Sequence, residues 1–415
     1  MVIKGEISFP GDKSISHRAL MLASIADGDS RISNLSTGED IQSTRVCLES
    51  CGIKINEDDG IVVVTGGKFS DPDQPLNCGN SGTTTRLLIG LLAGQGINAT
   101  FTGDKSLRAR PMNRILNPLS QMQLRSKSDG GRLPVTIYKS MIKGINYKSP
   151  IASAQIKSAL IFAGLGARSN TSITEPILSR NHTEKMLKVL GVNLFTDGFV
   201  TTVSRLKSPL RNFNLNVPAD PSTCAFFAAA VALVPGSNII IDRILWNPTR
   251  NGFFSVIDKM GVGIEYIDQW EEAGERIAKL NVFFKSLKGI NITKKQIPTL
   301  IDELPIIAIL ATQAEGKTVV SGAEELRFKE CDRINAICLN LKRMGADIKE
   351  LQDGFIINGP KELVGNKIKT FDDHRIAMAF TIAGLISRGD VVIDNQECVS
   401  ISFPEFFNEL SRLKK

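Results

Sequence analysis

One order of segments recurs six times along this chain: a polar helix start, an apolar helix, a glycine turn, a short β-branched strand and a second helix. The period is roughly 65 to 80 residues, too long for a solenoid repeat and suited to a supersecondary module used several times. Helix starts are expected near Ser14, residues 80–82, 153–155 and 220–222, Asp302 and residues 372–375. Turns follow at Gly28, Gly94, Gly164 or Gly166, Gly236, Gly316 and Gly389, and strands at residues 31–35, 100–102, 172–174, 238–241, 318–321 and 391–394. Second helices end in turns such as Met260-Gly261 and Met344-Gly345. This alternation reads as an α/β chain.

Six modules over 415 residues divide into two similar domains of three modules each. Pro10-Gly11-Asp12 and Pro218-Ala219-Asp220 carry the turn chemistry expected where the chain crosses between them. Residues 13–217 then form one domain, and residues 1–12 with 218–415 the other. Two crossings make a two-strand hinge, which permits closure around a ligand.

The first module opens with GDKSISHR, residues 11–18, which puts a lysine, two serines, a histidine and an arginine at one helix start. Free N–H groups, the positive end of the helix dipole and added cations favour an anion there. The apolar run from Ala19 to Ala26 continues the helix, and Gly28-Asp29 is expected to end it. GNSGTTTR, residues 79–86, combines glycines for close backbone approach with hydroxyls and an arginine. Arg108-Ala109-Arg110-Pro111, Ser179-Arg180-Asn181-His182, Lys329-Glu330-Cys331-Asp332-Arg333 and Asp372-Asp373-His374-Arg375 each set arginine beside carboxylate, amide or imidazole. Singly, such clusters are commoner as surface ion pairs than as sites.

A formal charge of +7 favours anionic partners, but Lys and Arg are dispersed. Two Trp and three Tyr leave little for stacking single-stranded nucleic acid, so a small anionic ligand fits better than nucleic acid. Seven cysteines without a CxxC pair suit a reducing, cytoplasmic setting, and three dispersed histidines give no metal-ligand spacing. No cofactor or metal is expected. The chain has no signal-peptide core and no apolar run of spanning length, so no membrane partner is expected.

Taken together, GDKSISHR, GNSGTTTR, ARP, SAQIKSA, SRNHTEKM, LIDELP, KECDR and DDHR occur in the order and spacing of the EPSP synthase (3-phosphoshikimate 1-carboxyvinyltransferase) family, which this chain resembles over its whole length. The resemblance implies the enolpyruvyl transferase fold, two domains of three βαβαββ-type repeats, with helix N-termini of both domains pointing into an interdomain cleft. It implies a monomer that transfers the enolpyruvyl group of phosphoenolpyruvate to shikimate 3-phosphate, with glyphosate as inhibitor. The SAQIKSA and SRNHTEKM forms resemble the branch that includes glyphosate-tolerant members. Two phosphates and two carboxylates bring roughly five to six negative charges to such a site, so many cations are required.

By motif position, the resemblance assigns Lys13, Ser14, Arg18, Ser153, Ala154, Gln155, Ser179, Arg180, Asp302 and Lys329 to shikimate 3-phosphate. It assigns Lys13, Asn80, Gly82, Arg110, Gln155, Arg333, His374 and Arg375 to phosphoenolpyruvate, and leaves Arg86 as a support for its loop. The resemblance makes Asp302, expected as an N-cap with Pro305 in the following turn, and Glu330 the proton-transfer pair, adds Lys13 as a third catalytic residue, and places Lys329 and His374 beside the reacting groups. Two positions depart from the commonest family form. Ile401 stands where a lysine precedes the Phe403-Pro404 segment, and Ala154 replaces a serine. Lys157 is open to two readings, a replacement cation or a solvated residue of the helix's first turn. The nearest alternative is UDP-N-acetylglucosamine enolpyruvyl transferase, whose loop cysteine is matched here by Lys105; an RNA-binding repeat protein is the alternative of another class.

Overall fold

A computed structural model describes residues Met1–Lys415. The chain separates into two compact units, one of Gly11–Val217 and one of Met1–Pro10 with Pro218–Lys415. Five four-stranded paths share one order. A lead strand pairs in parallel with the strand after the helix, and a hairpin adds antiparallel to that strand's other edge. Strand Asn146–Lys148, helix Ala154–Leu165, strand Thr171–Thr174, helix His182–Val189 and the hairpin Leu194–Asp197/Val200–Val203 give the βαβαββ unit in its simplest form.

The opening repeat of each unit takes its lead strand from the far end of the unit's own sequence. In the first unit, Leu210–Arg211 and Asn214–Asn216 pair with strand Ala26–Ser33. In the second, Lys4–Ile7 pairs with Asn238–Leu245. Phe9 then stacks edge-on against Phe227, centroids 5.0 Å apart, and Phe227 meets Phe403 and Phe406 at 6.1 and 5.7 Å. Each buried ring contributes about 1.5–3 kcal/mol, so the two chain ends are held on helix Pro221–Leu233 by apolar packing. The sixth repeat is shorter than expected: strands Lys367–Ile368 and Val392–Ile393 are followed by a 3-10 turn and helix Phe406–Leu413, with no hairpin.

The helix starts follow from capping chemistry. Asp12, Ser81, Ser153, Asp220 and Asp373 each accept a backbone N–H of the first turn of the helices beginning at Lys13, Gly82, Ala154, Pro221 and His374. Helix Leu304–Ala311 differs: Asp302 lies in a 3-10 turn, Ile301–Glu303, and the N-cap position is Glu303, which makes no side-chain cap bond. Asp302 is therefore not a cap, and its carboxylate serves other partners. The first helix also ends earlier than expected, at Ser24, and Gly28 lies within strand Ala26–Ser33. Gly94 remains inside its helix, which Gly96 closes with φ +68.

Helices Gly82–Gln95 and Ala154–Leu165 pack backbone against backbone. A Cβ on Gly90 would stand 2.2 Å from the Ala159 carbonyl oxygen, so only glycine permits this approach. No helix is long and apolar enough to cross a membrane.

His17, fully buried, joins the first three helices' polar seam: its Nδ1 is hydrogen bonded to Thr44 Oγ1 at 2.7 Å, and Thr44 meets Thr84 at 2.7 Å. Burial, with Lys13 and Arg18 nearby, pushes its pKa well below the ordinary 6.5. The unfolded chain thus binds this proton first, so His17's stabilising contribution is intact above about pH 6.5 and declines as pH falls below it. Replacing His17 with Gln should flatten the acid side of the stability profile by up to about 1.4 kcal/mol per pH unit, read from urea midpoints. Equal slopes in both proteins would contradict a buried neutral imidazole.

Candidate active site

In the first unit the predicted cations Lys13, Arg18, Arg110 and Arg180 each have a protein partner. Lys13 donates to Asp40 Oδ2 at 2.8 Å. Arg18 is 2% exposed and donates to Thr183 Oγ1, Ser158 Oγ and the Ser14 carbonyl at 2.7–2.8 Å, tying helix Lys13–Ser24 to helices Ala154–Leu165 and His182–Val189. Arg180 Nη1 donates to Ser14 Oγ at 3.2 Å, so the SRNH loop meets the first turn of GDKSISHR. With Asp12 as cap, this helix mouth is not bare N–H groups but a cation–carboxylate lattice that leaves Lys13 and Ser14 partly exposed.

Gln155, partly exposed beside the cap Ser153 and Ala154, accepts from Arg86 Nη1 at 2.5 Å and donates to Thr83 Oγ1 at 3.0 Å. Arg86 thus orients Gln155, beyond supporting its own loop. Arg110 grips Asn80 through the backbone oxygen at 3.2 Å and the side-chain oxygen at 2.6 Å, and Asn80 donates to Asp104 at 2.6 Å. Gly82 lies under both arginines: a Cβ there would be 3.2 Å from Arg86 Nη1 and 3.5 Å from Arg110 Nη1.

Lys157 is neither a spare cation nor a solvated residue. It is 2% exposed and paired to Glu175 at 2.6 Å and Glu184 at 2.7 Å. Burial works against its charge, but the two carboxylates outweigh this and raise its pKa. Glu175 also accepts the Ser179 hydroxyl at 2.5 Å.

In the second unit Arg333, 1% exposed, holds three carboxylates: Asp373 at 2.7 Å, Glu330 at 2.6 Å and Asp302 at 3.3 Å. Burial opposes the guanidinium charge, yet Asp373, Glu330 and Asp302 together hold its pKa above the ordinary arginine value. Lys329 reaches the same Asp302 oxygen at 3.1 Å, and Arg375 Nη1 donates to the Asp302 backbone oxygen at 3.1 Å. Asp302 and Glu330 are therefore brought together on one guanidinium, both partly exposed. His374 opens the neighbouring helix and is buried. Cys331 hydrogen bonds to Asp373, and burial keeps its thiol protonated.

Sequence reasoning gave no role to Glu303, which is 1% exposed, accepts from Ser222 Oγ, and lies 3.6 Å from Arg375 and 3.7 Å from Arg250. Its place next to Asp302 was the available signal. Arg250, which also pairs with Asp220 at 2.7 Å, had none.

The EPSP synthase (3-phosphoshikimate 1-carboxyvinyltransferase) family profile matches residues 2–410. Proteins named 3-phosphoshikimate 1-carboxyvinyltransferase from Thermodesulfovibrio yellowstonii and a Sulfurihydrogenibium species are 47% and 44% identical, each alignment covering 100% of this chain and 98% of the relative. The structure of an EPSP synthase from Acinetobacter baumannii superposes with a TM-score of 0.88 at 38% identity, covering 99% of this chain and 96% of that one. Eight motifs in order, the repeated βαβαββ sheets and these whole-length similarities agree: the chain belongs to the EPSP synthase family.

Proposed function

We propose that the protein transfers the enolpyruvyl group of phosphoenolpyruvate to the 5-hydroxyl of shikimate 3-phosphate, releasing inorganic phosphate. The observation that carries this reading is the pair of partly exposed carboxylates, Asp302 and Glu330, fixed on the single guanidinium of Arg333. Addition–elimination needs two such groups. Protonation of the phosphoenolpyruvate methylene makes the adjacent carbon electrophilic. The 5-hydroxyl then attacks it and gives up its proton. Loss of phosphate with removal of a methyl proton restores the double bond. Glu330 delivers and recovers the methylene proton, and Asp302, beside Lys329, takes the hydroxyl proton.

The remaining groups bind and orient. Lys13, Ser14, Arg18, Ser153, Ala154, Gln155, Ser179 and Arg180 serve shikimate 3-phosphate. Asn80, Gly82, Arg110, Arg333, His374 and Arg375 serve phosphoenolpyruvate, with Lys13 and Gln155 shared. Fixed cations stabilise the charge that gathers on the departing phosphate.

In heavy water, this chemistry puts solvent deuterium into the product's methylene, because the intermediate carries a methyl group whose hydrogens exchange places by rotation. Product free of deuterium, or phosphate released at the same rate without shikimate 3-phosphate, would overturn the reading.

Glyphosate is expected to compete with phosphoenolpyruvate. An alanine at Gly82 needs the Arg86 end to give by a few tenths of an ångström and brings its Cβ into ordinary contact with Arg110, which shrinks the space beside them. Gly82→Ala should raise the KM for phosphoenolpyruvate about fivefold and the glyphosate inhibition constant by a larger factor. Equal inhibition of both proteins would contradict glyphosate binding against Gly82.

A further inference from the structure

We propose that Lys157 is a positioning residue for shikimate 3-phosphate, acting through Glu175 to hold Ser179 and Arg180 at the first turn of helix Lys13–Ser24. The proposal rests on the reading that Ser179 and Arg180 contact that substrate. Lys157, Glu175 and Glu184 are 2%, 2% and 5% exposed at their side chains, and one ammonium there faces two carboxylates. A buried ion cluster of this kind is a poor source of net stability, since apolar side chains of similar volume do as well or better. What it does supply is geometry. Glu175 follows strand Thr171–Thr174, and Lys157 holds one of its oxygens at 2.6 Å. Its other oxygen accepts the Ser179 hydroxyl at 2.5 Å, which closes the five-residue loop before Arg180. Arg180 then reaches Ser14 Oγ at 3.2 Å. Lys157 also stands two residues from Gln155 on the same helix, so one buried charge ties the two segments assigned to shikimate 3-phosphate.

The test is a double-mutant cycle of Lys157→Met and Ser179→Ala, with shikimate 3-phosphate binding measured by calorimetry and both KM values and kcat by phosphate release. Lys157→Met should weaken shikimate 3-phosphate binding about tenfold, with kcat and the phosphoenolpyruvate KM changed by less than about twofold. In the Ser179→Ala background the same change should cost less than about threefold, because the relay is already cut. If Lys157→Met does not fold, Glu175→Gln, which keeps the side-chain shape, replaces it in the cycle under the same criteria. Additive losses, a kcat loss equal to the binding loss, or unchanged binding would overturn the proposal. Wild-type protein that binds no shikimate 3-phosphate would instead overturn the functional reading itself.

Discussion

Glu330→Gln should lower kcat by about 10²–10⁴-fold while shikimate 3-phosphate affinity changes by less than about threefold. Glutamine has the same shape and keeps an oxygen acceptor for Arg333 Nη2, which now donates to Glu330 Oε2 at 2.6 Å. The carboxamide cannot give and recover a proton, so the loss of about 3–5 kcal/mol falls on the transition state. A steady-state comparison with a direct binding measurement separates the two quantities. Equal losses in turnover and affinity would remove Glu330 from the proton path and leave it as a binding group.

Arg333→Met should be the most destabilising substitution at this site. Removing the guanidinium leaves Asp302, Glu330 and Asp373 without their shared cation, and Asp373 is fully buried. Stripping one partner from a buried ion cluster costs about 3–5 kcal/mol, because the remaining charges stay desolvated. Lys329 retains its contact with Asp302, so the burden falls on Asp373. Adding Asp373→Asn to Arg333→Met should therefore recover part of the loss, since asparagine still caps helix His374–Ala383 while removing one uncompensated charge. Urea unfolding of the two variants checks both statements. A loss below about 1 kcal/mol in Arg333→Met would mean that the three carboxylates are held by other means.

The helix starts were legible because capping is local: Ser81, Ser153 and Asp220 open the short polar starts of apolar helices and cap them. Asp302 misled because Pro305 follows it closely. Only the 3-10 turn, which no local pattern announces, moves the cap position to Glu303. Sheet closure was not legible either. Strand Ala26–Ser33 pairs in parallel with residues from Leu210 onward, and parallel pairing across such a span leaves no turn signal.

Within the site, motif position named residues whose roles the buried partners qualify. KECDR by itself reads as a surface ion-pair cluster, yet Arg333 is a buried hub for carboxylates because Asp373 and Asp302 come from other segments. Lys157 is left between a replacement cation and a solvated residue because its partners, Glu175 and Glu184, lie 18 residues or more along the chain. Composition alone favours an exposed lysine. The physical reason is common to these cases: a charge is buried only when its partner arrives, and the partner is set by tertiary structure.

Phosphate release from phosphoenolpyruvate with shikimate 3-phosphate or UDP-N-acetylglucosamine as acceptor, with the mass of each product determined, identifies the acceptor. Release with shikimate 3-phosphate alone, and a product heavier by one enolpyruvyl group, is the expected result. Release with the nucleotide sugar alone, or with neither acceptor, would contradict it.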